Sequence, residues 1–207
     1  VRAPVRGTTW GVALGGLAVL AAAATLSHAI SRSAATPIAA VRPWRAPSAA
    51  LVAQDGSTFT LPGLRGEPVA LTFVSARCTD ACPLVDAQFA RAQALLRREH
   101  LRARLVTITL DPAHDTPAVM RALAARFDAD PRVWLVASGS VENVRRVMQA
   151  FGVVAGPDRD DGPSFHSTFV YLLDADGHLR TISLASNVLA RVVVADLRGM
   201  ARTVAAR

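Results

Sequence analysis

Short apolar runs rich in branched residues alternate along this chain with longer stretches whose apolar residues recur every three or four positions. That alternation limits the fold more than any other feature. The run Val69–Val74, "VALTFV", reads as a buried strand. Beyond it, Leu84, Val85, Phe89, Ala92, Leu95 and Leu96 share one helical face, while Asp86, Arg91, Arg97 and Arg98 take the other. Residues 104–110 branch and alternate like a strand. Thr116 followed by Pro117 marks a helix start, with Thr116 as the cap. Residues 133–137 form another short buried strand, and Ser140 caps a helix that runs to about Phe151. Residues 168–173 and 179–182 make a hairpin about the turn 174–177, and a last helix takes 188–204. A small hairpin near residues 59–61 comes before them all. The order βαβαβαββα is that of an α/β fold, with parallel crossovers first and an antiparallel hairpin and helix last. A thioredoxin-like fold with one inserted βα unit fits it.

The first 50 residues do not belong to that pattern. Residues 10–26, "WGVALGGLAVLAAAATL", carry no charge, and Arg2 and Arg6 precede them. A positive start before an apolar segment is the layout of a signal anchor, and the length is at the low end of what spans a bilayer. Residues 1–30 are therefore expected to form an N-terminal membrane anchor, cleaved or uncleaved. Residues 31–50, rich in Ala, Pro and Ser, are expected to be a tether, and residues 51–207 the folded domain. Charge supports this division. The chain has a net charge of +7, with every basic residue an Arg, but residues 1–50 hold five Arg and no acidic residue. The remainder is nearly balanced and lacks the concentrated basic footprint of a nucleic-acid binder.

Cys78 and Cys82, in "ARCTDACP", are the only cysteines. They fall where the 69–74 strand hands over to a helix, at the strand end where open α/β folds place their sites. Residues four apart share a helical face, with α-carbons about 6 Å apart, so a disulfide is sterically allowed. Closing so short a loop removes little chain entropy, which makes the pair a poor staple. A helix start favours thiolate over thiol, leaving a redox-active dithiol and a soft-metal site as the readings with chemical content. Two thiolates suit copper(I), but two ligands alone seldom fix a copper site.

A third donor would be a histidine. His28 closes the apolar run, His100 ends a helix among charged residues, and His178 follows the 174–177 turn at the far end of a strand. His166 stands just before the 168–173 strand. In a thioredoxin-like sheet that strand runs antiparallel to the one delivering the cysteines, so its start meets their end. His114, in "DPAHDTP", also lies beyond a strand's carboxyl end and is the reserve candidate.

Together "FVSARCTDACP", "TLDPAHDTPAVMRALAARF" and "FHSTFVYLLDADGHLR" resemble the Sco/SenC family over about residues 50–205. Those are membrane-anchored thioredoxin-fold proteins that help assemble the binuclear copper centre of cytochrome oxidase. The resemblance implies that Cys78, Cys82 and His166 bind a copper ion, Cu(I) or Cu(II). It also implies that the protein delivers the ion to the copper-bearing subunit of cytochrome c oxidase or another periplasmic copper protein, or keeps that subunit's thiols reduced. Asp80 occupies the family's acidic position between the cysteines. Thr79 departs from its usual Pro, and "SAR" before Cys78 from its usual run. The implied location is the bacterial inner membrane, with the domain facing the periplasm. The alternative is an extracytoplasmic thiol–disulfide oxidoreductase using Cys78 and Cys82 without a metal. Such enzymes carry a cis-Pro before the strand that here follows Phe165-His166, and Pro163 stands too early for that role.

Overall fold

A computed structural model describes residues 44–79, 81–156, 158–159, 162–163, 169–184, 186 and 189–205. The expected anchor of residues 1–30 with His28, together with Asp80, Phe165 and His166, lies outside the described residues. Among those described, no helix is long and apolar enough to cross a membrane.

In chain order the elements are β1 (Leu51–Ala53), β2 (Thr58–Phe59), a 3-10 turn (Leu61–Leu64), β3 (Val69–Val74), α1 (Ala81–Arg98), β4 (Arg104–Thr109) and α2 (Pro117–Arg126). There follow β5 (Trp134–Ser138), α3 (Val141–Ala150), the two-residue strands β6 (Asp158–Arg159) and β7 (Gly162–Pro163), β8 (Phe169–Leu173), β9 (Leu179–Leu184) and α4 (Leu189–Ala205). The main sheet is ordered β2-β1-β5-β4-β3-β8-β9. β3, β4 and β5 run parallel; β8 joins β3 antiparallel, with Val69 opposite Leu173 and Thr72 opposite Val170. This is the thioredoxin-like α/β architecture the element order predicts.

The parallel strands are buried on both faces, so they read as continuous apolar runs. Alternation still sorts their side chains. Leu71, Phe73, Val106 and Ile108 meet α3 through Val144 and Val147, while Ala70, Val74, Leu105 and Val136 meet the other helices through Val85, Phe89, Met120 and Val193. The predicted caps form: Thr116 Oγ1 accepts from Val119 N at 3.4 Å, and Ser140 Oγ accepts from Asn143 N at 3.2 Å.

Three local expectations are corrected. Leu84 was placed on the buried face of α1 and Asp86 on the solvent face; Leu84 is 45% exposed and Asp86 only 2%. The reason is that α1 packs on the sheet and also against α4, so its covered arc is wider than a single stripe. Gln88 Oε1 accepts from Ala190 N at 3.2 Å across that helix pair. Second, β1 was not foreseen: three residues offer no period, yet Val52 pairs with Ser138 and Ala53 with Ala137. Third, the chain is already seated at the end of the expected tether. Trp44 stacks edge-on against Phe151, ring centroids 4.7 Å apart, its carbonyl accepts from Leu179 N at 2.9 Å, and Ala46 and Ala49 are buried.

Candidate metal and dithiol site

Cys78 is carried by the loop between Val74, the last residue of β3, and Ala81, the first of α1, and Cys82 is the second residue of that helix. Cys78 N donates to Ser75 O at 3.1 Å, closing a turn that faces Cys78 toward the start of the helix. The loop is tied to the segment after β4 at two levels. At the inner level Asp115, fully buried, accepts from Ala76 N at 3.0 Å and from Thr109 Oγ1 at 2.7 Å, both on Oδ2. Asp115 is itself held: its carbonyl accepts from Ser138 Oγ at 2.5 Å and its N–H donates to Asp111 O at 2.8 Å. At the outer level Arg77 donates twice to Asp111 Oδ2, from Nε at 3.1 Å and Nη2 at 2.6 Å. Asp111 also contacts His114 Nδ1 at 2.9 Å.

Neither cysteine is in a disulfide. Cys82 is 2% exposed and Cys78 half-buried. Burial drives the Cys82 thiol well above the ordinary thiol range. A backbone hydrogen bond from Ser75 opposes that shift, and the Cys78 sulfur, within hydrogen-bonding reach, adds to it. One turn further along α1, burial raises the Asp86 carboxyl to about 7, with Arg126 pulling it down. Asp86 Oδ1 has no hydrogen-bond partner, and the nearby carboxyl further disfavours a Cys82 thiolate. Burial likewise raises Asp115 against the hydrogen bonds from Thr109 and Ala76. Burial also pushes Asp111 upward, but hydrogen bonds from Arg77 and His114 outweigh it, so that carboxyl titrates below its usual range.

The structure therefore brings Cys78 and Cys82 together as the spacing predicts. His114, the reserve ligand, is engaged by Asp111 and Arg77 and does not complete a three-donor group with the sulfurs. His178 is at the other end of β8, beside Arg45, as its position after the turn implies. β8, the strand that His166 precedes in sequence, begins at the cysteine end of β3: Thr72 Oγ1 donates to Phe169 O at 3.0 Å. Asp86, Asp115 and the Arg77–Asp111 clasp carry no sequence signal that marks them as site residues. An acid on the polar side of an amphipathic helix pattern and an acid two residues before a helix-start Pro are ordinary in sequence. Only the tertiary packing shows that they surround the thiols.

Among the described residues, one group of three potential metal donors has its ligating atoms within 4.8 Å of one another: Asp174, Asp176 and His178, in the turn joining β8 to β9. Most of its capacity is spent on the turn. Asp174 Oδ1 accepts from Asp176 N at 3.0 Å and His178 N at 2.9 Å, and Oδ2 accepts from Arg180 Nε at 2.6 Å.

A thioredoxin-like sheet with a dithiol at the end of an interior strand defines a class of thiol-bearing α/β proteins, and comparison with known proteins narrows it. The family model described as SCO1/SenC matches residues 46–202. The chain belongs to the SCO1/SenC family. It is 25% identical over 126 residues to a SCO1 homologue of Bacillus subtilis, a match covering 60% of this chain and 65% of that protein, slightly under two thirds of its length. It is 32% identical over 173 residues to a Stutzerimonas stutzeri protein named for copper binding, covering 79% of this chain and 83% of the other. Among solved structures, Bradyrhizobium japonicum ScoI with copper bound superposes with a TM-score of 0.65 at 25% identity, covering 75% of this chain and 99% of that one. A SCO1/SenC family lipoprotein from Bacillus anthracis gives a TM-score of 0.69 at 24% identity, covering 81% and 98%, and shares the fold.

Proposed function

We propose that the protein carries copper as cargo, held by Cys78, Cys82 and His166, and hands it to the copper-bearing subunit of cytochrome c oxidase or another periplasmic copper protein. One observation carries the reading: a buried and a half-buried thiol, within hydrogen-bonding reach of each other, are held at the end of β3 by a loop tied to its neighbours at two levels. The donor set fits the ion. Thiolate sulfur is soft and suits Cu(I), and a neutral imidazole suits either copper oxidation state. The copper-bound ScoI relative supports the same assignment. His166 is the third ligand in this reading because it directly precedes β8, whose first residue lies beside the strand that delivers the cysteines.

The protein's own groups set the terms of loading. Cys82 gives up its proton when the ion binds, and its burial and the Asp86 carboxyl hold that proton tightly, so affinity rises with pH. Metal loading and disulfide formation exclude each other, because both use the same two sulfurs. The empty dithiol therefore has a second use. It can pass two electrons and two protons to a disulfide on the partner subunit, forming a Cys78–Cys82 disulfide and leaving the partner's thiols reduced to receive the ion. The domain works outside the cytoplasm, tethered to the bacterial inner membrane through residues 1–30. Titration with Cu(I) under reducing conditions tests the reading. One tightly bound ion per chain is expected, lost in Cys78→Ala and in His166→Ala; unchanged stoichiometry and affinity in both variants would refute it.

A further inference from the structure

On the side of the molecule where α1 packs against α4, a groove of about 610 Å³ opens between the two helices. That is a size typical of small-molecule sites. Its lining has a polar and an apolar half. Ala94, Leu95 and Ala190 form the apolar part, and Arg91 and Arg98 on α1 with Arg191 on α4 form the charged part. No acidic side chain lines it. Arg91, Arg98 and Arg191 are all exposed, and among the described residues none makes an ion pair or hydrogen bond with a protein group. Several arginines elsewhere pair with acids, among them Arg77 with Asp111, Arg104 with Glu67, Arg146 with Glu142 and Arg180 with Asp174. Three guanidinium groups thus line one groove with no acid among its lining residues.

Two further features direct that charge inward. Gln88, only 2% exposed, lines the same groove. Its Oε1 accepts from Ala190 N at 3.2 Å, and its Nε2 finds no acceptor among the described residues. Arg191 lies in the first turn of α4, which contains no acidic residue, so a cation sits beside the positive end of a helix dipole. The first-turn cation is unfavourable in isolation and is relieved by a bound anion, to which Gln88 Nε2 adds a donor. Arg91 and Arg98 are seven residues apart, so their α-carbons are separated by about 10 Å along α1. The charge is spread along the groove and not focused on one point.

We infer that the α1–α4 groove is a binding site for an elongated organic anion of phosphate type, its charged groups held by Arg91, Arg98, Arg191 and Gln88 Nε2 and its apolar part by Leu95 and Ala190. A soluble phosphate compound and the headgroup of an acidic phospholipid share that chemistry. The site is separate from the thiols and does not depend on copper carriage.

The test uses the full chain at low ionic strength, titrated by calorimetry with inorganic pyrophosphate and, separately, with short-chain phosphatidylglycerol. One binding event per chain is expected with at least one probe. The affinity should fall at least tenfold in Arg91→Ala/Arg98→Ala and in Arg191→Ala, with copper stoichiometry unchanged. The control Arg65→Ala/Arg145→Ala, at two exposed arginines outside the groove, should leave it intact. Pyrophosphate binding alone identifies a free anion as the ligand, and phosphatidylglycerol binding alone a headgroup. No binding of either probe, undiminished affinity in the groove variants, or an equal loss in the control would overturn the site.

Discussion

Two clusters of potential metal donors sit at opposite ends of the β3–β8 strand pair, and they differ in what their atoms are already doing. At the β8–β9 turn, Asp174, Asp176 and His178 crowd three donors together, a better cluster by proximity alone. Yet Asp174 uses both oxygens to hold the turn and Arg180. At the β3 end, Cys78 and Cys82 are the two donors brought within reach of each other among the described residues, and the polar groups around them, Asp115 and the Arg77–Asp111 pair, are spent on holding the loop. A turn folds its ligand atoms into its own backbone, whereas the thiol loop borrows acids from a neighbouring segment.

The largest expected effect concerns the acid behind the thiols. In the folded chain the Asp86 carboxyl titrates at about 7, above the ordinary carboxylate value it regains on unfolding. Its contribution to stability is therefore complete below about pH 4, falls as pH rises through that range, and is lost above about pH 7. The loss amounts to about 4 kcal/mol. Chemical denaturation of wild type and Asp86→Asn at pH 4.5 and 7.5 should show the wild type losing stability relative to the variant at the higher pH. A difference that does not change with pH would remove Asp86 from the account.

Next is Asp115→Ala, which leaves Ala76 N–H and the Thr109 hydroxyl without their buried acceptor. A loss of about 3 kcal/mol is expected, with a smaller loss in Asp115→Asn, measured by urea unfolding. If the alanine variant were as stable as wild type, the loop would not depend on its borrowed acid. The asymmetry between the thiols comes third. With Cys82 buried and its proton tightly held, iodoacetamide at neutral pH should modify Cys78 on the order of a hundredfold faster, read by mass spectrometry of quenched samples. Equal rates would show that the loop opens freely. Smallest is Asp174→Ala at the opposite end, expected to cost about 1–2 kcal/mol through the turn's hydrogen bonds, with copper binding unaffected. Lower copper affinity in that variant would break the contrast between the two clusters.

Much of this arrangement could be read from the sequence, for identifiable reasons. The strand Val69–Val74, the Thr116 and Ser140 caps and the 174–177 turn each carry a local signal, and the structure forms them where predicted. The antiparallel pairing of β8 with β3 followed from element order. What escaped depends on contacts between distant segments. Gln54 reads as an ordinary loop residue, yet its Nε2 donates to Trp134 O at 2.7 Å and its Oε1 accepts from Val136 N at 2.8 Å, extending the ladder beyond β1. Trp44 stands in a Pro- and Ala-rich stretch whose composition suggests a tether, and only the ring of Phe151 reveals its seat. Asp86 looked solvent-facing because a single amphipathic stripe does not anticipate a second helix covering α1. At the site, the closeness of the two thiols is legible from their spacing, while the acids that frame them are not.

The central claim, that the thiol end and not the carboxylate turn is the copper site, is tested most directly by the absorption spectrum of the full chain loaded with Cu(II). The account predicts a thiolate-to-copper charge-transfer band that is absent in Cys82→Ser, altered or lost in His166→Ala, and unchanged in Asp174→Ala/His178→Ala. A band that survives without Cys82, or disappears with the turn residues, would contradict it.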